Sequence, residues 1–351
     1  MPDPPARKLP IAVITGFLGS GKTTLIRRLL AQPGMNRAAL IVNEFGEVGI
    51  DHELIASSSE NVSLLANGCL CCAVRTDLQE TLRELFIKRR AGEVMDFDRV
   101  FIETSGMADP VPVMQALLTD GLLAEEYRTD CVVTLVDAVN GETQLDEFDE
   151  ALKQVAIADR IILTKRDLVD DAREAAMRAY FAAINPHAEV AVAANGVLDP
   201  SFLIDVSPRG ARLDAPVLRR WLRAEPPQPG QDRYLGELVS VKRHRNILSF
   251  VLWFDEPFSW GTFANAMQLL ANLRGPDLLR VKGLVNVATE RGPMVVHGAQ
   301  HVFHPPLTLD AWPGPDHRSR LVFITRGIPQ NTIAQLFSSI ARLAGPSQAD
   351  Q

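Results

Sequence analysis

The sequence predicts an α/β protein of two domains: a three-layer α/β/α domain on a mostly parallel sheet, then a smaller α+β domain. Short apolar runs alternate with helical patterns in the first half of the chain, a Pro-rich stretch follows near residue 226, and 351 residues exceed one ordinary domain. The expected boundaries are a disordered tail at 1–9, a first domain at 10–208, a linker at 209–235, a second domain at 236–343 and a disordered tail at 344–351.

The first domain is predicted from short runs that are rich in Val and Ile and almost continuously apolar. Such strands belong to a parallel sheet that helices cover on both faces. A helical pattern at 22–31 follows the first run, so right-handed βαβ crossovers are expected. The predicted strands span residues 11–15, 38–42, 99–103, 131–137 and 160–164.

The second domain shows a mixture of strand and helix patterns beyond the linker. Its last segment has the apolar spacing of an amphipathic helix. The predicted elements are a strand at 248–254, a helix at 260–273, a turn and strand at 278–286, a strand at 320–325 and a helix at 333–343.

Charge and hydropathy exclude several classes of function. The formal net charge of −7 argues against broad electrostatic binding to nucleic acid or to an anionic membrane. No run approaches the ~18 apolar residues of a membrane span, and residues 1–10 lack the apolar segment of a secretory signal. We therefore expect a cytoplasmic protein that binds neither nucleic acid nor membranes.

A glycine-rich loop, GFLGSGKT at residues 16–23, follows the first predicted strand and opens the first predicted helix. This context identifies a Walker A motif, whose backbone N–H groups and helix N-terminus bind phosphate. Lys22 is expected to reach the β- and γ-phosphates, and the Thr23 hydroxyl is expected to bind Mg²⁺. The residues predicted to bind the nucleotide here are Gly16, Gly19, Ser20, Gly21, Lys22, Thr23 and Thr24.

Two later strands end in polar residues that would lie at the same edge of the sheet. Glu103 begins the segment ETSG and is a predicted catalytic residue with Lys22 and Thr23, because a carboxylate there can act on the Mg²⁺ shell or its water. Gly106 would let its N–H approach the γ-phosphate. Asp137 is either an outer-shell group for Mg²⁺ or a helix N-cap.

The segment TKRD at residues 164–167 predicts guanine recognition. The carboxylate of Asp167 can accept hydrogen bonds from guanine N1–H and the 2-amino group, a donor pair that adenine lacks. The stem of Lys165 can pack over the base. Thr164 stands where many GTPases carry Asn.

Three cysteines lie within four positions, at Cys69, Cys71 and Cys72. In an extended turn the thiols of Cys69 and Cys71 can point the same way, and three thiolates suit Zn²⁺, with Cu(I) as a softer alternative. A fourth protein ligand is not evident, which is typical of a site that must also release its metal. The nearby acids Glu44, Glu47 and Asp51 are alternative oxygen ligands for this metal or for Mg²⁺, and Glu47 is taken as the ligand beside the cysteines.

Three histidines in the second domain, His297, His301 and His304, have ligand-like spacing. On a single strand, however, His297 and His301 would share a face and His304 would face away. Ordinary surface histidines are therefore the preferred interpretation.

Together, ITGFLGSGKTT at 14–24, NEFG at 43–46, GCLCC at 68–72, ETSG at 103–106 and TKRD at 164–167 resemble the CobW family of metal-trafficking GTPases. The resemblance covers nearly the whole chain. It implies a GTPase domain of the SIMIBI class plus a CobW C-terminal domain. The segments RVKG at 280–283 and VVHGAQ at 295–300 resemble the pattern of that C-terminal domain. Unlike many relatives, the linker has no histidine-rich stretch, which argues against bulk metal storage.

The resulting hypothesis is a slow GTPase that uses GTP and Mg²⁺, binds Zn²⁺ (with Co²⁺ and Ni²⁺ as alternatives), and couples nucleotide state to metal delivery. The expected partners are GTP and GDP, a client metalloprotein and a second copy of the chain in a homodimer. Two rivals stay open: a GTPase switch that activates a metalloenzyme by contact without carrying metal, and a P-loop small-molecule kinase.

Overall fold

The computed structural model describes residues 8–43, 62–64, 70–74, 77–193, 196–204 and 246–343, with backbone alone for 62–64 and 70–74. The predicted linker at 209–235, the acids Glu44, Glu47 and Asp51, and Cys69 lie outside the described residues. The described chain forms two compact units. One contains the residues up to 180 together with 188–204, and the other contains 246–343 together with the short segment 181–187.

The first unit is built on an eight-stranded sheet in the order β3-β4-β2-β5-β1-β6-β7-β8. Every pair is parallel except the antiparallel edge pair β3–β4. The strands are β1 (Leu9–Gly16), β2 (Ala38–Asn43), β3 (Val62–Leu64), β4 (Leu70–Val74), β5 (Arg99–Thr104), β6 (Tyr127–Asp137), β7 (Arg160–Thr164) and β8 (Glu189–Val192).

Helices alternate with these strands, as the apolar periodicity predicts. They are α1 (Lys22–Leu30), α2 (Leu78–Ala91), α3 (Val111–Thr119), α4 (Gly121–Glu126), α5 (Gly141–Glu147), α6 (Asp149–Ile157) and α7 (Asp171–Ile184). Leu25, Ile26 and Leu29 of α1 have the spacing of one helix face, and they share a buried core with Ile14 and Phe101 of the sheet. The predicted three-layer α/β/α architecture is confirmed.

The order of the strands determines where on the sheet a ligand can bind. The chain runs from β1 across to β2, and later strands add on both sides, so that β5 and β6 flank β1. A crevice therefore opens at the carboxyl end of β1, where ligands of such sheets bind. Residues 17–21, which join β1 to α1, lie at this edge.

The sheet also contains a strand that the sequence pattern did not predict. We expected an extended turn around the cysteines, whereas Leu70–Val74 forms β4, with Cys71 opposite Leu40 and Cys72 opposite Ile41. Parallel pairing with β2 therefore determines the backbone of these two cysteines.

The second unit has an antiparallel sheet covered by two helices on one face. The strand order is β12-β11-β10-β14-β9, with β13 paired to β11. The elements are β9 (Ile247–Phe254), α8 (Trp260–Arg274), β10 (Arg280–Val285), β11 (Met294–Ala299), β12 (Val302–Phe303), β13 (Leu307–Thr308), β14 (Ser319–Arg326) and α9 (Gln330–Leu343). Its core joins Phe250, Val281 and Phe323 of the sheet to Phe263 and Phe337 of the helices, which confirms the predicted α+β domain.

The histidine cluster has a different arrangement from the one predicted. The chain reverses between β11 and β12, with Gln300 at φ 55°, and the His304 N–H donates to the His297 carbonyl at 3.1 Å. The two imidazole rings stack with centroids 3.9 Å apart. The prediction that His304 faces away from His297 is wrong, because a hairpin turn separates the two residues.

Among the helices of the described segments, none has the length and apolar character needed to cross a lipid bilayer.

Phe337→Ala should destabilise the second unit by about 3–5 kcal/mol, because it leaves a cavity in a closely packed core. The Phe337 ring lies 5.2 Å from Phe254 and 5.8 Å from both Phe258 and Phe263, and it is 1% exposed. Urea unfolding followed by tryptophan fluorescence measures this, since Trp253, Trp260 and Trp312 lie in this unit. Leu343→Ala in the same helix is the control, because Leu343 is 87% exposed. Equal stability of the two variants would contradict the assignment of this core.

Candidate nucleotide site

The loop between β1 and α1 provides unpaired backbone donors. Gly19 and Gly21 have φ of 73° and 88°, a left-handed conformation that glycine adopts without strain. Within the described residues, the N–H groups of Leu18, Gly19 and Gly21 donate to no acceptor. The first turn of α1 follows, with no side-chain cap at Gly21. Converging unpaired N–H groups at a helix N-terminus form an anion site.

The predicted catalytic lysine lies against this loop. Lys22 Nζ donates to the Gly16 carbonyl at 2.7 Å and is 3.4 Å from the Phe17 carbonyl. The ammonium group is therefore held beside the unpaired N–H groups, and the positive charges of both add at one place. Ser20 in the same loop is fully buried, and its hydroxyl has no hydrogen-bond partner among the described residues.

Two predicted metal-site oxygens meet at the carboxyl edge. The Thr23 hydroxyl donates to Glu103 Oε1 at 2.9 Å, joining the first turn of α1 to the end of β5. Ligands at adjacent vertices of an octahedron with Mg–O of about 2.1 Å lie about 3 Å apart. The residues present therefore fit Mg²⁺, both in the chemistry of their oxygen atoms and in their spacing. Beside them, the Thr104 hydroxyl is 2.9 Å from the Thr15 hydroxyl, a contact that ties β5 to β1.

Gly106 lies directly against the phosphate loop. A Cβ added at Gly106 would be 2.9 Å from the Leu18 Cα, so only glycine permits this approach. The neighbouring Ser105 N–H donates to the Asn43 carbonyl at the end of β2, at 3.2 Å. This bond connects the loop after β5 to the strand that pairs with β4.

The TKRD segment joins the same edge through Thr164. Its hydroxyl donates to the Ser20 carbonyl at 2.8 Å, which couples the end of β7 to the phosphate loop. Lys165 has φ 55°, and Asp167 is exposed, with a carboxylate that makes no hydrogen bond or ion pair in the described part of the chain. The sequence-predicted base-recognition residues therefore lie beside the phosphate loop, and the Asp167 carboxylate retains its acceptor capacity.

Asp137 forms a buried polar centre beneath this segment. Its carboxylate accepts from Lys165 Nζ at 2.7 Å, from the Val139 N–H at 2.7 Å and from Asn140 Nδ2 at 3.0 Å. Burial alone would raise the pKa of Asp137, but the bonds from Lys165, Val139 and Asn140 outweigh it and hold the pKa below its ordinary value. The carboxylate therefore orders the loop after β6 and the Lys165 side chain.

The cysteine motif lies along the sheet from this edge. In the register of β4 with β2, Val74 is opposite Asn43 and Cys71 is opposite Leu40. At about 3.3 Å per residue, three residues place the Cys71 backbone about 10 Å from the level of Asn43. Cys69 and Glu47 of the predicted ligand set lie outside the described residues.

Several residues that shape the site were not predicted from the sequence. The Thr15–Thr104 contact could not be read from the chain, because it joins strands that are distant in sequence. Gln154 is fully buried within the apolar run of α6. The one sequence feature that could have indicated its role is a lone Gln within the segment ALKQVAI, because a buried amide needs a hydrogen-bond partner.

The doubly wound sheet, the loop of unpaired N–H groups and the Lys22, Thr23 and Glu103 side chains define a P-loop nucleotide-binding protein. The chain belongs to the CobW/HypB/UreG family. Residues 10–192 match the CobW/HypB/UreG nucleotide-binding domain, and residues 247–341 match the cobalamin synthesis protein cobW C-terminal domain. The family resemblance seen in the motifs is thereby confirmed.

Two curated relatives are similar over different lengths. The zinc chaperone YjiA of Escherichia coli K12 is 32% identical over 335 residues, covering 95% of this chain and 99% of that protein. The zinc-regulated GTPase metalloprotein activator 1 of Schizosaccharomyces pombe is 34% identical over 213 residues, covering 58% of this chain and 50% of that protein.

Solved structures show the same architecture. The crystal structure of the Zn(II)-bound YjiA GTPase from E. coli superposes with a TM-score of 0.73 at 29% identity, covering 95% of this chain and 99% of that one. A triple mutant of YjiA, with one Glu and two consecutive Cys changed to Ala, is also described as Zn(II)-bound, with a TM-score of 0.72.

Asp137→Asn should lower the free energy of unfolding by about 2 kcal/mol at pH 7, because it removes the charge from a hydrogen-bonded carboxylate. Since the folded pKa is lowered, this contribution is present above the ordinary value of 3.8 and is lost as pH falls through the lowered folded pKa. Urea unfolding from pH 7 down to pH 3 should show the gap to the unmodified chain closing. Asp167→Asn is the control and should leave the free energy of unfolding at pH 7 unchanged, because the exposed Asp167 carboxylate makes no hydrogen bond or ion pair in the described part of the chain. A pH-independent gap would contradict the role of the carboxylate charge.

Proposed function

We propose that this protein is a GTP-hydrolysing metallochaperone that binds Zn²⁺ at Cys69, Cys71 and Cys72 and couples its nucleotide state to metal delivery to a client protein. Family membership and the site geometry support the nucleotide half. The names of the E. coli and S. pombe relatives support zinc and a client metalloprotein. Co²⁺ and Ni²⁺ remain alternative metals, and Glu47 is the proposed oxygen ligand beside the thiolates.

One observation supports the proposed coupling between nucleotide state and the cysteine site. The strand that contains Cys71 and Cys72 pairs with β2, and the last residue of β2, Asn43, accepts the N–H of Ser105 beside Gly106. A change at Gly106 on binding or loss of the γ-phosphate therefore has a short hydrogen-bonded route to the cysteine strand. Ordering of a loop by the γ-phosphate is a common switch in GTPases.

The phosphate chemistry follows from the residues at the edge of the sheet. Lys22 and the N–H groups of Leu18, Gly19 and Gly21 would stabilise charge on the transferring phosphoryl group. Thr23 and Glu103 would hold Mg²⁺, which supplies further positive charge against the β- and γ-phosphates. Ser20 and Thr24 complete the proposed phosphate-binding segment.

Slow intrinsic turnover is part of the proposal. No arginine of the sequence can be assigned as a charge-stabilising finger, and such a residue is worth about 10³–10⁵ in rate where it is present. A client protein or a second copy of the chain would then accelerate hydrolysis.

Base selection is proposed to depend on Asp167, with Lys165 packing over the base. In Asp167→Asn, the amide can no longer accept two bonds from guanine, but its NH₂ can donate to the 2-oxo group of xanthine. GTP affinity should fall at least about tenfold, the size of one charge-assisted bond, while XTP affinity rises. Fluorescent-nucleotide titration measures both.

Asp170→Asn is the matched control for this substitution. Asp170 lies three residues further on and caps the Arg173 N–H at 2.8 Å, a bond that Asn can keep. Unchanged GTP affinity in Asp167→Asn would rule out guanine recognition by this carboxylate.

The metal half is tested by zinc affinity, measured by competition with a chromophoric chelator in the apo, GDP and non-hydrolysable GTP states. We expect a change of about tenfold or more between states, which corresponds to about 1.4 kcal/mol of coupling. Cys71→Ala/Cys72→Ala should lose this nucleotide-dependent binding. Equal affinity in all three states would favour a switch that acts on its client by contact.

His297→Ala/His304→Ala is the control for the second unit. The stacked pair is the alternative metal site, and the Zn(II)-bound triple mutant of YjiA makes such a control necessary. Nucleotide-dependent zinc binding that survives the cysteine variant but not the histidine variant would overturn the cysteine assignment.

Release of inorganic phosphate from GTP, without a phosphorylated acceptor, separates this function from a kinase.

A further inference from the structure

Gln154 is a buried polar side chain that the proposed phosphate chemistry does not use. It lies on α6 between Leu152 and Val155 and is 0% exposed. Burying an amide without hydrogen bonds costs free energy, so its partners indicate its role. Its own carbonyl accepts the Thr134 hydroxyl at 2.6 Å, which fixes this turn of α6 to β6.

The Gln154 side chain holds the loop that follows Glu103. Nε2 donates to the Ala108 carbonyl at 3.0 Å and to the Gly106 carbonyl at 3.3 Å. Oε1 has no partner among the described residues. The amide is therefore attached to the loop through its nitrogen alone.

A turn bond inside this loop sets the direction of the Gly106 N–H, and the Gln154 bonds to the Gly106 and Ala108 carbonyls hold that turn in place. The Ser105 carbonyl accepts the Ala108 N–H at 3.1 Å. In a trans peptide the C=O and N–H point in opposite directions, so the Gly106 N–H points away from Ala108. This N–H finds no acceptor in the described part of the chain, and Gly106 packs against Leu18 of the phosphate loop.

We propose that Gln154 is a positioning residue that holds the Gly106 N–H ready for the γ-phosphate and thereby sets the preference for GTP over GDP. The inference rests on the proposed function, because it requires a guanine nucleotide in the P-loop. GDP lacks the γ-phosphate, so its affinity should not depend on this bond. A purely structural role would weaken both nucleotides equally.

The test measures the affinities of GDP and of a non-hydrolysable GTP analogue for Gln154→Met and Gln154→Glu. Met removes both donors at similar volume, and Glu replaces the donor by an oxygen that repels the two carbonyls. The preference for the GTP analogue should fall about tenfold in Gln154→Met, the size of one charge-assisted bond, and further in Gln154→Glu. GDP affinity should stay within about twofold of the unmodified chain.

Lys153→Met is the matched control on the same helix. Lys153 reaches the same loop through an ion pair with Asp109 at 4.0 Å, and the substitution should leave the preference unchanged. A parallel loss of GDP and GTP-analogue affinity, or an unchanged preference, would overturn the inference. Failure of the unmodified chain to bind either nucleotide would instead overturn the proposed function.

A measurement on the unmodified chain covers the case in which the variants do not fold. Hydrogen exchange followed by NMR should show the Gln154 side-chain NH₂ protected in every state. The Gly106 N–H should become protected with the GTP analogue and not with GDP. Equal exchange of the Gly106 N–H in both nucleotide states would contradict the positioning role.

Discussion

The parallel pairing of β1 with β5 on one side and β6 on the other is the constraint on which the rest of the first unit depends. It brings the carboxyl ends of three strands to one edge, so that the phosphate loop after β1, Glu103 of β5 and Asp137 of β6 lie at the same edge although they are distant in sequence. Because these strands are buried on both faces, the polar groups collect at their ends. The side-chain bonds at this edge, from Thr23 to Glu103 and from Thr164 to the Ser20 carbonyl, join separate loops into one site.

The second unit buries its sheet in a different way from the first. Its antiparallel sheet covers one face with α8 and α9, and a cluster of phenylalanines from both layers fills the space between them. A core of its own fits the separate family match of residues 247–341. The stacked histidines lie at the β11–β12 hairpin of this unit, in an arrangement that depends on a turn rather than on strand periodicity.

The fold was predictable where local pattern and tertiary role agree. The apolar runs ending at Thr15, Glu103 and Thr164 were predictable as strands because each strand is buried, and a buried strand has an apolar sequence. The strand Leu70–Val74 was missed because its cysteines suggested a metal-binding turn, whereas pairing with β2 decides its backbone. The phosphate-loop residues were predictable because their spacing is fixed by a local loop. Gln154 was not predicted, because its partners lie about fifty residues away and only the packed structure brings them together.

Lys165 combines a strained backbone with an ion pair to a buried carboxylate. Its φ of 55° is a left-handed conformation that costs a side-chain-bearing residue about 1 kcal/mol and costs glycine almost nothing. The ion pair between Lys165 and Asp137 offsets part of that strain and fixes the long side chain. Glycine at this position would remove the strain but would also take the cation away from the buried Asp137 carboxylate, so the backbone cost and the ion pair cannot be changed separately. One side chain therefore sets both the thermal tolerance and the local order at this end of the sheet.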